Sequence, residues 1–102
     1  MEKWNQIDLL RGYLVQGSNG EYCYLTPNER IEMIEKVCQW SKKEKLVLAG
    51  SGMESTQATI EMTNAMATAG AHAAVVITPC YFKSKMTSDS LLQHFTRFLL
   101  QL

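Results

Sequence analysis

The 102-residue sequence predicts an α/β fold on a parallel sheet, and three observations carry that expectation. Three short apolar runs, Tyr13-Leu14-Val15, Leu46-Val47-Leu48-Ala49 and Ala73-Ala74-Val75-Val76-Ile77, have no polar alternation. Each reads as a strand covered on both faces, the habit of parallel sheets. Helical periodicities separate the runs, and the runs recur at intervals of roughly 30 residues, the length of a βα unit. A sheet with right-handed crossovers follows, which sets aside all-α and all-β folds.

Taken in order, residues 3–10 read as the tail of a helix with Trp4 and Ile7 turned inward. After the first strand, Thr26-Pro27-Asn28-Glu29 is a capping box with proline at the first helical position. Ile31, Ile34, Val37, Cys38 and Ser41 then share one helical face, with Glu32, Glu35, Lys36 and Gln39 mostly elsewhere. After the second strand a helix is expected from Ser55, with Ala58, Met62, Ala65, Met66 and Ala69 on one stripe and Gly70 ending it as C′. After the third, a helix opening at Thr87 or Ser88 shows Leu91, Leu92, Phe95, Phe98, Leu99 and Leu102. Nothing resembling a linker or a low-complexity stretch interrupts residues 1–102.

Composition narrows the function classes. At 46% hydrophobic and 20% charged residues, the chain belongs with globular proteins rather than disordered or fibrous ones. Ten basic residues balance ten acidic ones and nothing basic accumulates, so neither nucleic acid nor an anionic membrane is an expected partner. No apolar run approaches the roughly 20 residues that cross a bilayer. Residues 1–10 carry Glu2, Lys3, Asn5, Gln6 and Asp8, which suits neither a signal peptide nor an acid-poor transit peptide. Cys23, Cys38 and Cys80 form no Cys-x-x-Cys pair, and His72 and His94 stand far apart. No metal site or disulfide framework is expected, and the odd count suits a reducing compartment.

In parallel α/β proteins, ligands bind beyond the carboxyl ends of the strands. The loops there are Gly17-Ser18-Asn19-Gly20-Glu21, Gly50-Ser51-Gly52-Met53-Glu54-Ser55 and Thr78-Pro79-Cys80-Tyr81-Phe82. In the first, two glycines permit positive φ, so successive N–H groups are expected to turn inward as an anion nest. Ser18 and Asn19 add donors sized for a carboxylate or small phosphate. The bland alternative is a tight turn whose small polar residues satisfy the backbone. The spacing is not that of a P-loop, and Gly50-x-Gly52 lacks the third glycine of a dinucleotide fingerprint. Tyr81 is placed to relay a proton or, equally, to pack at a subunit contact. Cys80 reads as a half-buried spectator, His72 and His94 as structural, and the six methionines as core filler.

Three ordered blocks then carry a resemblance. Val15-Gln16-Gly17-Ser18-Asn19-Gly20-Glu21 with Leu25-Thr26-x-x-Glu29-Arg30 resembles the first signature of the dihydrodipicolinate synthase and N-acetylneuraminate lyase family. Leu48-Ala49-Gly50-Ser51-Gly52 with Ser55-Thr56 and Ala58-Thr59 resembles its second, and Val76-Ile77-Thr78-Pro79-Cys80-Tyr81 its third. The match runs from about residue 12 to about residue 95. Ser18-Asn19, and Cys80 before Tyr81, are most similar to the mitochondrial 4-hydroxy-2-oxoglutarate aldolase branch.

The resemblance implies part of a (β/α)₈ barrel, about three parallel strands with their helices, from a family that is usually tetrameric. It implies class I aldolase chemistry without a metal or cofactor. A lysine forms an imine with a 2-oxo acid, and retro-aldol cleavage of a compound such as 4-hydroxy-2-oxoglutarate yields pyruvate and glyoxylate. Ser18 and Asn19 match the residues that hold the substrate carboxylate, with Ser18 also in a hydroxyl relay. Tyr81 matches a tyrosine that reaches a neighbouring subunit's site and helps proton transfer. The family's imine-forming lysine and its Tyr-x-x-Pro stretch have no counterpart among these residues. Lys3, Lys36, Lys42, Lys43, Lys45, Lys83 and Lys85 all stand where the ammonium stays solvated or at the wrong end of a strand. The family's first strand is also without a counterpart, and residues 96–102 do not look like its continuation into a next strand. The expectation is a partial aldolase domain, inactive as an isolated chain. Its alternatives are a fragment that associates with full-length subunits and a flavodoxin-like anion binder. A mitochondrial location rests on the resemblance alone.

Overall fold

The computed structural model describes residues 2–102. In order it contains α1 (Glu2–Asn5), β1 (Gly12–Val15), α2 (Pro27–Trp40), β2 (Leu46–Gly50), α3 (Thr56–Thr68), β3 (Ala73–Val75) and α4 (Ser88–Gln101), with 3₁₀ turns at Ser18–Gly20, Tyr22–Tyr24 and Lys83–Lys85. The strands are parallel and lie in sequence order β1-β2-β3, with Val15 opposite Ala49 and Ala49 opposite Ala74. That monotone order, with right-handed crossovers, puts successive helices on one face of the sheet. It is the arrangement of a closing barrel rather than of a doubly wound sheet.

Local sequence accounts for the helix starts. The Thr26 hydroxyl accepts from the Glu29 N–H at 3.2 Å while Glu29 accepts from the Thr26 N–H at 2.9 Å, a completed capping box before Pro27. Ser55 caps α3 through the Ala58 N–H, and Thr87 caps α4 through the Ser90 N–H. Gly70 follows α3 at φ +117, a conformation that an L side chain rarely adopts.

The core lies between α2, α3 and one sheet face. Ile34, Ala49, Met62 and Met66 form its centre, with Val15, Ile31 and Cys38 packed around them. Strand parity assigns the rest: Val47 and Ala49 point to the helices and are fully buried, while Leu14 and Leu46, on the other face, are about half exposed. The three runs are therefore not covered on both faces as expected, and all of β3 is exposed. The reason is that the helices supply one layer only, and no described residue covers the second face.

Three further expectations are corrected. Helix α1 stops at Asn5, and Trp4 and Ile7 are exposed rather than inward. What ties this segment down is polar. Asn5 donates to the Trp40 carbonyl and accepts from the Tyr13 hydroxyl and the Lys42 N–H, and buried Lys45 donates to the Ile7 and Leu10 carbonyls. In α3 the expected Met62 and Met66 are buried and Ala69 packs against the core, but Thr59, Ile60 and Thr63 share the buried face, Thr63 hydrogen-bonded to Ser51 at 2.6 Å. In α4 only His94 and Phe98 are buried; Leu92, Leu99 and Leu102 face outward because α4 packs on α3 and not on the sheet.

Candidate functional site

The three expected loops do converge at the carboxyl end of the sheet, and one buried arginine joins two of them. Arg30, in the first turns of α2, is only 3% exposed. Its Nε donates to Gln16 Oε1 at 2.9 Å, its Nη2 to the Gly50 carbonyl at 2.8 Å, and its Nη1 to Met53 Sδ at 2.8 Å. Longer bonds of 3.4 Å reach the Gly52 carbonyl. Gln16 completes a closed pair by donating Nε2 to the Arg30 carbonyl. The guanidinium stacks 4.8 Å from the Tyr22 ring centroid. No described carboxylate pairs with it. Burial pulls its pKa down while Tyr22 opposes, and burial pushes the Tyr22 phenol up, with Cys80 adding to the shift. The cation is thus solvated by carbonyl dipoles and an aromatic face where the loops meet.

This junction shapes the first loop. Gln16 takes the left-handed conformation at φ 69, and Glu21 closes the loop at φ 53. Between them Gly17, at φ −72, opens the 3₁₀ turn Ser18–Gly20, in which the Gly20 N–H donates to the Gly17 carbonyl. The expected glycine nest is therefore not formed: the positive φ values fall on Gln16, whose side chain is held by Arg30, and on Glu21. Glycine is required instead at Gly50, where a Cβ would stand 2.3 Å from the Gln16 carbonyl oxygen.

Ser18 and Asn19 are both exposed on the turn. Ser18 lines a cavity of about 180 Å³ with Leu14, Gly17, Val75 and Ile77, on the bare face of the sheet. A second cavity, of about 480 Å³, lies over the loops and includes Cys23, Glu54 and Cys80; Tyr22, Arg30, Gly52 and Ile77 wall both. An apolar wall, a hydroxyl and a nearby buried cation suit a small carboxylate with an apolar neighbour. Asn19 and Tyr81 line neither cavity. Tyr81 is 78% exposed, and its ring meets Phe82 edge-on, with ring centroids 4.8 Å apart.

Cys80 is exposed rather than half-buried, because its loop leaves the sheet beside Glu54 instead of folding under it. His72 is structural, accepting from the Val47 N–H at 2.9 Å. His94 is buried in α4 and bonds Thr56 at 2.8 Å. Met53 packs against the core as expected and, in addition, its sulfur accepts from Arg30. Among the described residues no cluster of His, Cys, Asp and Glu could hold a metal ion.

Sequence reasoning passed over Gln16, Arg30 and Glu54. For Arg30 a signal exists: it stands four residues before Ile34 on the stripe that continues to Val37, so a cation was written into the buried face of α2. For Gln16 and Glu54 no local signal distinguishes them from solvated loop residues.

Against known proteins, the chain matches the Dihydrodipicolinate synthetase family over residues 6–101. It is 35% identical over 95 residues, 93% of its length, to the 4-hydroxy-tetrahydrodipicolinate synthase of Anaeromyxobacter sp. (strain K), and covers 32% of that protein. Among solved structures it resembles the chloride-inhibited dihydrodipicolinate synthase of Acinetobacter baumannii complexed with pyruvate, at 30% identity and TM-score 0.84, covering 99% of this chain and 35% of that one. It also resembles YagE, a prophage protein of E. coli K12 solved in complex with pyruvate, at 28% identity and TM-score 0.81, covering 90% of this chain and 30% of that one. The chain spans about a third of the length of the curated relatives it matches. Its three parallel βα units are a piece of that family's (β/α)₈ barrel, and the chain belongs to the dihydrodipicolinate synthetase family.

Proposed function

We propose that the chain contributes the carboxylate-binding part of a class I aldolase site that handles pyruvate or a related 2-oxo acid. The observation that carries this reading is Ser18, which places a hydroxyl on the wall of an apolar cavity at the carboxyl end of the sheet, beside buried Arg30. The pyruvate found in two solved relatives supports the substrate class. In this reading Ser18 and Asn19 donate to the substrate carboxylate, where hydrogen bonds to an anion are the strong ones. Ser18 also passes a proton, and Tyr81, free on the surface, reaches toward the site of a neighbouring subunit in a homo-oligomer.

The chemistry needs an amine, and in this reading none of the lysines of this chain supplies it. An unprotonated lysine condenses with the keto carbon and releases water. Loss of the proton of the β-hydroxyl then breaks the Cα–Cβ bond relative to the imine carbon. The aldehyde leaves, the bond's electrons form an enamine, and protonation and hydrolysis by water return pyruvate and the free lysine. Lys36 pairs with Glu32 on the surface, Lys45 is tied to two carbonyls at the amino end of β2, and Lys83 and Lys85 form an exposed turn. None lines either cavity. The isolated chain is therefore inactive in this reading, and the lysine comes from outside these residues. For the finer substrate, Ser18-Asn19 and Cys80-Tyr81 favour 4-hydroxy-2-oxoglutarate and a mitochondrial enzyme, whereas the matched relatives are named 4-hydroxy-tetrahydrodipicolinate synthase. Association with full-length subunits is the second reading, favoured by the bare sheet face.

The test is to incubate the chain with pyruvate and borohydride and to map adducts by peptide mass spectrometry. No reduced pyruvyl-lysine is expected at any of the seven lysines. One such adduct would overturn the inactive-fragment reading and name the missing amine. Ser18→Ala should weaken pyruvate binding measured by NMR line shifts, and an unchanged affinity would sink the carboxylate assignment.

A further inference from the structure

Tyr81 presents a contradiction. A tyrosine that is 78% exposed and touches one aromatic neighbour gains little orientation from packing, yet the proposed role requires it to point one way. Its direction must come from its backbone. That backbone is held by Glu54, in the β2–α3 loop immediately before the α3 cap. Glu54 Oε2 accepts from the Cys80 N–H at 3.2 Å and from the Tyr81 N–H at 3.1 Å. Oε1 accepts from the Cys80 N–H at 3.3 Å and from the thiol at 3.6 Å. One carboxylate thus grips two consecutive amides, 26 and 27 residues away in sequence.

We infer that Glu54 is the positioning residue for Tyr81, a clamp that fixes the peptide planes from which the tyrosine projects. The inference rests on the relay role proposed for Tyr81. Satisfying two amides is not reason enough for the carboxylate, since the loop is exposed and water would serve as acceptor. What the carboxylate adds is geometry, because two charge-assisted bonds to adjacent N–H groups allow only one orientation of the segment. The carboxylate in turn is anchored beside the N-cap of a 13-residue helix. The second loop therefore aims the third.

The experiment is amide exchange followed by ¹H–¹⁵N spectroscopy of the full chain. The Cys80 and Tyr81 amides should exchange more slowly than the other exposed amides of their loop. In Glu54→Gln exchange at both positions should quicken about tenfold, the scale of one lost charge-assisted bond. The Tyr81 ring protons should move toward free-tyrosine positions as the edge-on contact with Phe82 loosens, while the amides of β2 and α3 stay in place. Wild-type amides without protection, protection that survives in Glu54→Gln, or an unmoved Tyr81 ring would each overturn the clamp. If the variant does not fold, the wild-type exchange decides alone. Tyr81→Phe keeps the backbone and must leave the protection of both amides intact. Loss of the relay role would appear instead as unchanged cleavage when Tyr81→Phe chain is mixed with full-length family subunits, so the two failures are separable.

Discussion

Arg30 takes a positive charge out of water without a carboxylate to meet it, and compensates through five donor contacts within 3.4 Å to Gln16, Gly50, Gly52 and Met53. Only a planar guanidinium reaches so many acceptors from one position; an ammonium on a flexible stem does not. Arg30→Ala would leave the Gly50 carbonyl and Gln16 Oε1 buried without donors, at a cost of about 3 kcal/mol. Arg30→Lys should recover less than half of that. Urea unfolding of the two variants checks both values, and a loss under about 1 kcal/mol for Arg30→Ala would mean that water replaces the guanidinium. The same residue shows why part of the site was illegible. Its place on the buried stripe is periodic and readable, but its partners lie 14 to 23 residues away, and sequence spacing says nothing about contacts at that range.

Between elements, α2 meets the turn after α3 at Cys38, which is half-buried: a Cβ added at Gly70 would stand 3.3 Å from its sulfur. Burial pushes the Cys38 pKa up. A raised folded-state value means that the native chain holds this proton more tightly than the unfolded chain. The stabilisation is complete below the unfolded thiol value, about 8.5, and is lost as pH rises through the higher folded value. Stability should therefore fall more steeply than in Cys38→Ala as pH rises above the unfolded thiol value. Urea midpoints at several pH values test the difference, and parallel slopes would discard it. At this scale the sequence was most legible. Thr26, Ser55 and Thr87 cap where expected, because a cap is a contact within three residues. Which side of each helix is buried was less so: α4 carries an apolar stripe, yet Leu92 and Leu99 face outward because the element it packs on is α3.

The whole molecule has a covered face and a bare one. Leu14, Leu46, Val75 and Ile77 are each between about a third and a half exposed on the face opposite the helices, and β1 and β3 are both edges. The radius of gyration, 14.5 Å, exceeds the roughly 13 Å of a compact chain this size. Open parallel edges beside apolar surface are association sites. The chain should elute from size-exclusion columns above monomer size, and paired Leu14→Glu and Val75→Glu changes should return it to monomer. A monodisperse wild-type monomer would count against both the fragment and the partner readings. Sequence by itself determined the class of fold, the order of elements, the helix starts and the three loops that meet, because each depends on local periodicity or on the handedness of βα crossovers. Tertiary structure alone decided which faces are covered, that Gln16 rather than Gly17 takes the left-handed turn, that Arg30 binds the loop ends together, and that Glu54 aims Tyr81. Those outcomes depend on pairings across 14 to 27 residues, where the energy of a hydrogen bond is set by folded geometry and leaves no local pattern in the sequence.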